Sequence, residues 1–199
     1  MVDRLYELQD GSITIGGVPI SQIDRETLHR RVGYVLQDTY LFSGTIAENI
    51  CMGTEQMDME AVKHASEVAC FDGAVCEFKD GYETFVGERG VTLSGGQKQR
   101  CSIARMLATK PDIMIFDDSL SAVDSETDAA IRQALRREFH GCTVILISHR
   151  VTTLMHADQI VVLDEGRVSE MGTHAELVAA GGIYSRVCSM QGRDEEVTA

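Results

Sequence analysis

Two stretches of this chain place side chains in patterns that do chemistry. In Leu93-Ser94-Gly95-Gly96-Gln97, a serine stands just ahead of two glycines, and Lys98-Gln99-Arg100 follows at the start of a helical pattern. A hydroxyl, uncovered backbone N–H groups and the positive end of a helix dipole meet there, and together they suit a terminal phosphate. In Ile113-Met114-Ile115-Phe116-Asp117-Asp118, two carboxylates close a short apolar run. The C-terminal end of a buried parallel strand is where open α/β sheets take their ligands. Each stretch also has a plainer reading. The first is a glycine-rich loop with an ordinary N-cap. The second is a helix cap after a strand, which uses one aspartate and leaves the other unexplained.

The elements that must position these groups follow from hydrophobic period. Ile113–Phe116 and Thr143–Ile147 are short continuous apolar runs, as expected of buried parallel strands. Ser125–Phe139, between them, has the period of a crossover helix. Upstream, Met1–Leu8 reads as the end of a helix. Ser12–Ile15 reads as a short strand closed by Gly16-Gly17, Thr27–Arg31 as a helical turn and Val32–Leu36 as a strand. The pattern turns helical from Thr45 to Leu107, near Thr45–Ile50, Met59–Ala69, Phe71–Phe78 and Gly96–Leu107. Ile160–Leu163, the turn Asp164-Glu165-Gly166 and Arg167–Glu170 predict a β-hairpin. Thr173–Ala180 predicts a helix with Thr173 and Glu176 as a capping box. The last eight residues read as a frayed C-terminus.

The serine–glycine stretch with its tail resembles the signature motif of ABC-transporter ATP-binding domains, and further segments fall in that family's order. Ile113–Asp118 resembles a Walker B segment, Ser121-Ala122-Val123-Asp124 a D-loop, and Val35-Leu36-Gln37-Asp38 a Q-loop. His149, in Ile147-Ser148-His149-Arg150, matches the switch histidine. The resemblance implies ATP and Mg²⁺ as cofactors and a role for each matching residue. Ser94, Gly95, Gly96, Gln97 and Asp124 would bind nucleotide, and Asp117 with Gln37 would serve the metal. Asp118, His149 and Gln37 would be catalytic, with Asp118 polarising the attacking water and His149 contacting the γ-phosphate. Singly, a strand-end histidine is more often a structural hydrogen-bonder, and the glutamine would be unremarkable. Leu41–Ile50 and Val86-Gly87-Glu88-Arg89-Gly90 resemble the segment after the Q-loop and the X-loop of exporters.

The implied fold is α/β: a P-loop NTPase-like (RecA-like) parallel core with a helical signature subdomain, and with the N-terminal part, P-loop strand included, missing. Residues 1–44 and 108–190 would form the core, 45–107 the helical subdomain and 191–199 a tail. Two departures stand out. Nothing in these 199 residues matches G-x-x-x-x-G-K-[ST], for Gly16-Gly17 leads into Val18-Pro19-Ile20. The groups that supply most triphosphate affinity are therefore not among them. A gene fragment or a misplaced start codon is the simplest explanation. Second, Asp118 stands where active members of the family carry glutamate, which suits the weakened site of a heterodimeric exporter.

Composition limits the alternatives. The chain carries 31 acidic and 18 basic side chains, a net charge of −13, which argues against a nucleic-acid-binding surface. No apolar run approaches the roughly 20 residues that span a bilayer, so a membrane partner would be another polypeptide or a further part of this one. The six cysteines lack metal-ligand spacing and read as reduced thiols. The expected partners are a second, non-identical nucleotide-binding domain and an exporter's transmembrane domain at the Q-loop and X-loop, on the cytoplasmic face of the membrane. Two other functions compete: an inert or regulatory module that only caps a partner's ATP, and a soluble ABC protein acting on DNA or ribosomes. The acidic balance and the exporter-like loops weigh against the last.

Overall fold

The structure, a computed structural model, describes residues 2–54, 56–87, 92–120 and 122–197. It divides into two compact units, Met1–Ile147 and Ser148–Ala199.

The first unit opens with a hairpin of β1 (Thr14–Ile15) and β2 (Val18–Pro19). Its two-residue turn needs left-handed backbone at both central positions, and Gly16 and Gly17 supply it with φ of +57° and +80°. Helix α1 (Arg25–Arg31) starts where the Asp24 carboxylate accepts from the Thr27 N–H, and runs into β3 (Val32–Val35). A Cβ on Gly33 would lie 2.5 Å from Met106 Cγ and 2.9 Å from Pro111 Cγ, so β3 reaches its packed position because residue 33 has no side chain.

Beyond it come β4 (Gly44–Thr45), α2 (Ile46–Cys51), α3 (Met59–Val68), α4 (Asp72–Cys76), β5 (Phe85–Val86, antiparallel to β4) and α5 (Gly95–Ala108). Thr45 and Glu48 form a capping box at the start of α2. Ile46, Ile50, Val62, Phe71 and Ile103 meet in one core that includes Met114 and Phe116. β6 (Ile113–Asp117), α6 (Ser125–Glu138) and β7 (Thr143–Ile147) complete this unit. β3, β6 and β7 form a parallel sheet in that order, with Val35 opposite Phe116 and Asp117 opposite Ile147. The chain is thus an α/β protein with a parallel sheet and helices, as expected.

In the second unit, α7 (Val151–Leu154) precedes β8 (Ile160–Asp164) and β9 (Arg167–Gly172), which pair as the expected hairpin. Helix α8 (His174–Ala180) has the expected box: Thr173 Oγ1 accepts from Glu176 N, and Glu176 Oε2 accepts from Thr173 N. Helix α9 (Ile183–Val197) follows, and Tyr184 joins Ile160 and Leu177 in a small core.

Three sequence expectations change. Residues 2–6 form turns and bends instead of a helix end, with Arg4 at a φ of +56°. Both apolar runs form parallel strands, but only β6 is buried. β7 lies at the margin of the described sheet, with Val144 and Ile147 41% and 52% exposed. The tail from Gln191 is helical as far as Val197, where fraying was expected.

Candidate functional site

The signature segment folds as a helix entry whose polar groups are assigned within the chain. Ser94, in extended backbone, caps α5. Its Oγ accepts from Gln97 N at 3.3 Å, and Gln97 Oε1 accepts from Ser94 N at 2.9 Å. The amides of Gly95 and Gly96 stay in the first turn, where no helical carbonyl can reach them. A Cβ placed on Gly95 would meet nothing within 4 Å, so space is open there. One on Gly96 would lie 3.2 Å from the carbonyl oxygen of Ala122. Buried Gln99, one turn on, accepts through Oε1 from the Ala122 N–H at 3.2 Å. The D-loop backbone is thereby fastened to the signature helix. Sequence reasoning missed Gln99, which lies 23 residues from its partner.

Asp124 ends the D-loop and caps α6, its Oδ1 accepting from Thr127 N at 2.9 Å. That backbone hydrogen bond is the main cause holding its carboxyl below the ordinary 3.8. Ser121 lies outside the described residues, as do Glu88, Arg89 and Gly90 of the X-loop segment.

Parallel pairing carries three further candidates to one end of the sheet. Asp117 is the last residue of β6, Asp118 follows it, and Gln37 lies two residues beyond the end of β3, exposed. Both aspartates are half-buried. Asp118 N donates to Ile147 O at 2.8 Å and extends the sheet by one bond. Asp118 also has a φ of +45°, in the left-handed region that aspartate tolerates better than most residues. His149 follows β7 by two residues and is exposed, in the second unit.

A buried cluster missed by sequence reasoning holds the segment after Gln37. Asn49, 1% exposed, accepts through Oδ1 from Phe42 N and donates through Nδ2 to the carbonyls of Phe42 and Thr45, at 2.9–3.0 Å. Arg105 of α5 donates to Asn49 O, Asn49 Oδ1 and Tyr40 O at 2.7, 2.8 and 2.9 Å, and lies 5.6 Å from the Phe42 ring centroid. Desolvation holds this guanidinium below its ordinary pKa. A cavity of about 330 Å³ opens beside the segment, with Tyr34, Leu36, Tyr40, Phe42, Arg105 and Met106 in its wall.

These residues fit part of a magnesium nucleotide. A single strand-end carboxylate and an amide oxygen make a donor set that Mg²⁺ accepts when phosphates and water complete its shell. The capped glycine turn suits one terminal phosphate. A nest for the rest of the triphosphate is not encoded in the 199 residues.

The family model for ABC transporters matches residues 1–121. A probable multidrug resistance ABC transporter ATP-binding/permease protein of Bacillus subtilis is 48% identical over 181 residues, 91% of this chain and 31% of that protein. An ABC-type oligopeptide transporter of Homo sapiens is 41% identical over 191 residues, 96% of this chain and 25% of its own length. The chain therefore spans about a fifth to a third of the length of the curated relatives it matches. A solved bacterial Atm1-family ABC exporter with ATP bound superposes with a TM-score of 0.92 at 37% identity, over 96% of this chain and 34% of that one. The chain belongs to the ABC transporter family, as an ATP-binding domain of the exporter type.

Proposed function

We propose that this chain works in an ABC exporter by presenting Ser94, Gly95 and Gly96 to the terminal phosphate of ATP held by a second nucleotide-binding domain. The observation that supports this most is the α5 entry. Ser94 and Gln97 satisfy each other's backbone, Gly95 faces open space, Gly96 lies close against Ala122, and Gln99 bonds the turn's helix to the Ala122 N–H. Such a turn needs no rearrangement to receive an anion.

The other motif residues would serve nucleotide bound to this chain's own side of the dimer, each in the role its motif implies. Asp117 and Gln37 would hold Mg²⁺, Asp118 would orient the attacking water, and His149 would contact the γ-phosphate. Asp124 would lie between the two sites of the dimer. Mg²⁺ would supply charge neutralisation on the phosphates. The segment from Tyr40 to Phe42, with its adjoining cavity, would receive the transmembrane domain, together with the X-loop. Through that contact the domain would lie at the cytoplasmic face of the membrane. The partner would be a non-identical domain, since Asp118 stands at the glutamate position.

The test combines the chain with a P-loop-bearing nucleotide-binding domain and measures ATPase activity. Stimulation that depends on Ser94 is expected. Equal activity with and without the chain would overturn the proposal.

A further inference from the structure

In the second unit, the side chain of Gln191 is bonded to the loop that carries His149. Its Nε2 donates to His149 O at 2.6 Å, and its Oε1 accepts from Val151 N at 2.8 Å. Val151 is the first residue of α7, so no carbonyl within that helix can satisfy its N–H. Arg150, the N-cap residue, makes no side-chain capping bond there. A carboxamide forty residues away does the capping, and the same group fixes the backbone on the other side of Arg150. Ser148 Oγ adds a bond from Arg150 N at 3.0 Å.

Helix α9 has anchors besides Gln191. At its start, the Glu170 carboxylate accepts from Ile183 N and from Tyr184 N. Tyr184 is buried, and its hydroxyl meets His174 Nδ1 at 2.9 Å. Gln191 lies two helical turns further on. His149 is exposed, and the loop backbone sets the position from which its ring projects.

We infer that Gln191 is a positioning residue for His149: its carboxamide fixes the loop from which the imidazole reaches nucleotide. This rests on the role proposed above for His149. The alternative is that Gln191 merely helps to dock α9.

Gln191→Leu keeps most of the side-chain volume and removes both bonds. In the 199-residue chain, NMR should show faster hydrogen exchange at the Val151 amide, by about ten-fold or more, and shifted His149 ring resonances. His174, against Tyr184 at the other end of α9, should keep its resonances. Joint movement of His149 and His174, or no change at Val151, would overturn the inference. In a pair of domains where this chain's own site is completed by a P-loop, Gln191→Leu should lower kcat at that site about ten-fold and leave the KM for ATP unchanged. It should add no further loss to His149→Ala, because one residue acts through the other. Full additivity would overturn the positioning role. The NMR readings need no nucleotide. If they come out as expected and His149→Ala leaves turnover intact, the reading of His149 fails and Gln191's hold on the loop stands.

Discussion

Arg105 and Asn49 share two hydrogen bonds although 56 residues separate them, from Nε to the Asn49 carbonyl and from Nη2 to Oδ1. The guanidinium fork reaches Tyr40 O as well, so one cation on the signature helix satisfies three oxygens next to the Q-loop segment. An ammonium is a point donor and cannot keep that fork. Arg105→Lys should therefore destabilise the first unit by about 1–3 kcal/mol, read from urea unfolding. Asn49→Ala should weaken the same cluster, and the double variant should lose less than the sum of the two. Additivity to within about 0.3 kcal/mol would show that the residues act independently.

Asp118 combines a short carboxylate with left-handed backbone. Glutamate would extend the acceptor by roughly 1.5 Å, and misplacement on that scale costs on the order of 10²-fold in rate. In an assembly with a complete P-loop, Asp118→Glu should raise turnover at that site and leave ATP affinity unchanged. His149→Ala should abolish the gain. Glutamate tolerates left-handed backbone less well, so the same variant should also melt slightly lower. A loss of turnover, or a gain indifferent to His149, would make Asp118 a helix-entry residue and not a catalytic one.

The Asp124 cap has a pH signature with a fixed sign. Its folded carboxyl is held below 3.8, chiefly by the Thr127 N–H. The ionised form therefore binds the folded state better, and the stabilisation is fully present above the unfolded value. It is lost as pH falls through the lower folded value. A carboxyl-carbon NMR titration should place the Asp124 midpoint below 3.8, and a midpoint at or above that value would contradict the cap. The stability gap between the native chain and Asp124→Ala should narrow as pH drops below about 4.

The parallel core, the hairpin and the capped helices were legible because their signals are local. The Asp164-Glu165-Gly166 and Gly16-Gly17 turns, a Thr173–Glu176 box and uniform apolar runs act within a few residues. What escaped depends on distance along the chain. Gln99 meets Ala122, Arg105 meets Asn49 and Gln191 meets His149 only after folding, and no spacing rule predicts those pairs. The exposure of β7 escaped for a related reason: Val144-Ile145-Leu146-Ile147 reports that the strand can be buried, not whether a neighbour covers it. Helix α9 was not read from the sequence. Gly181 ends α8, in left-handed backbone, and α9 starts two residues later.

The central claim, that the α5 entry serves ATP on another domain, meets its most direct test at Ser94. In a reconstituted pair of domains, Ser94→Arg should obstruct the glycine turn and break the Ser94–Gln97 box. ATPase activity at the partner's P-loop should then fall by at least about 10²-fold, on the scale of losing one preorganised donor. Nucleotide binding to that P-loop, read separately by calorimetry, should persist. Turnover unchanged in Ser94→Arg, with the pair still assembled, would contradict the account.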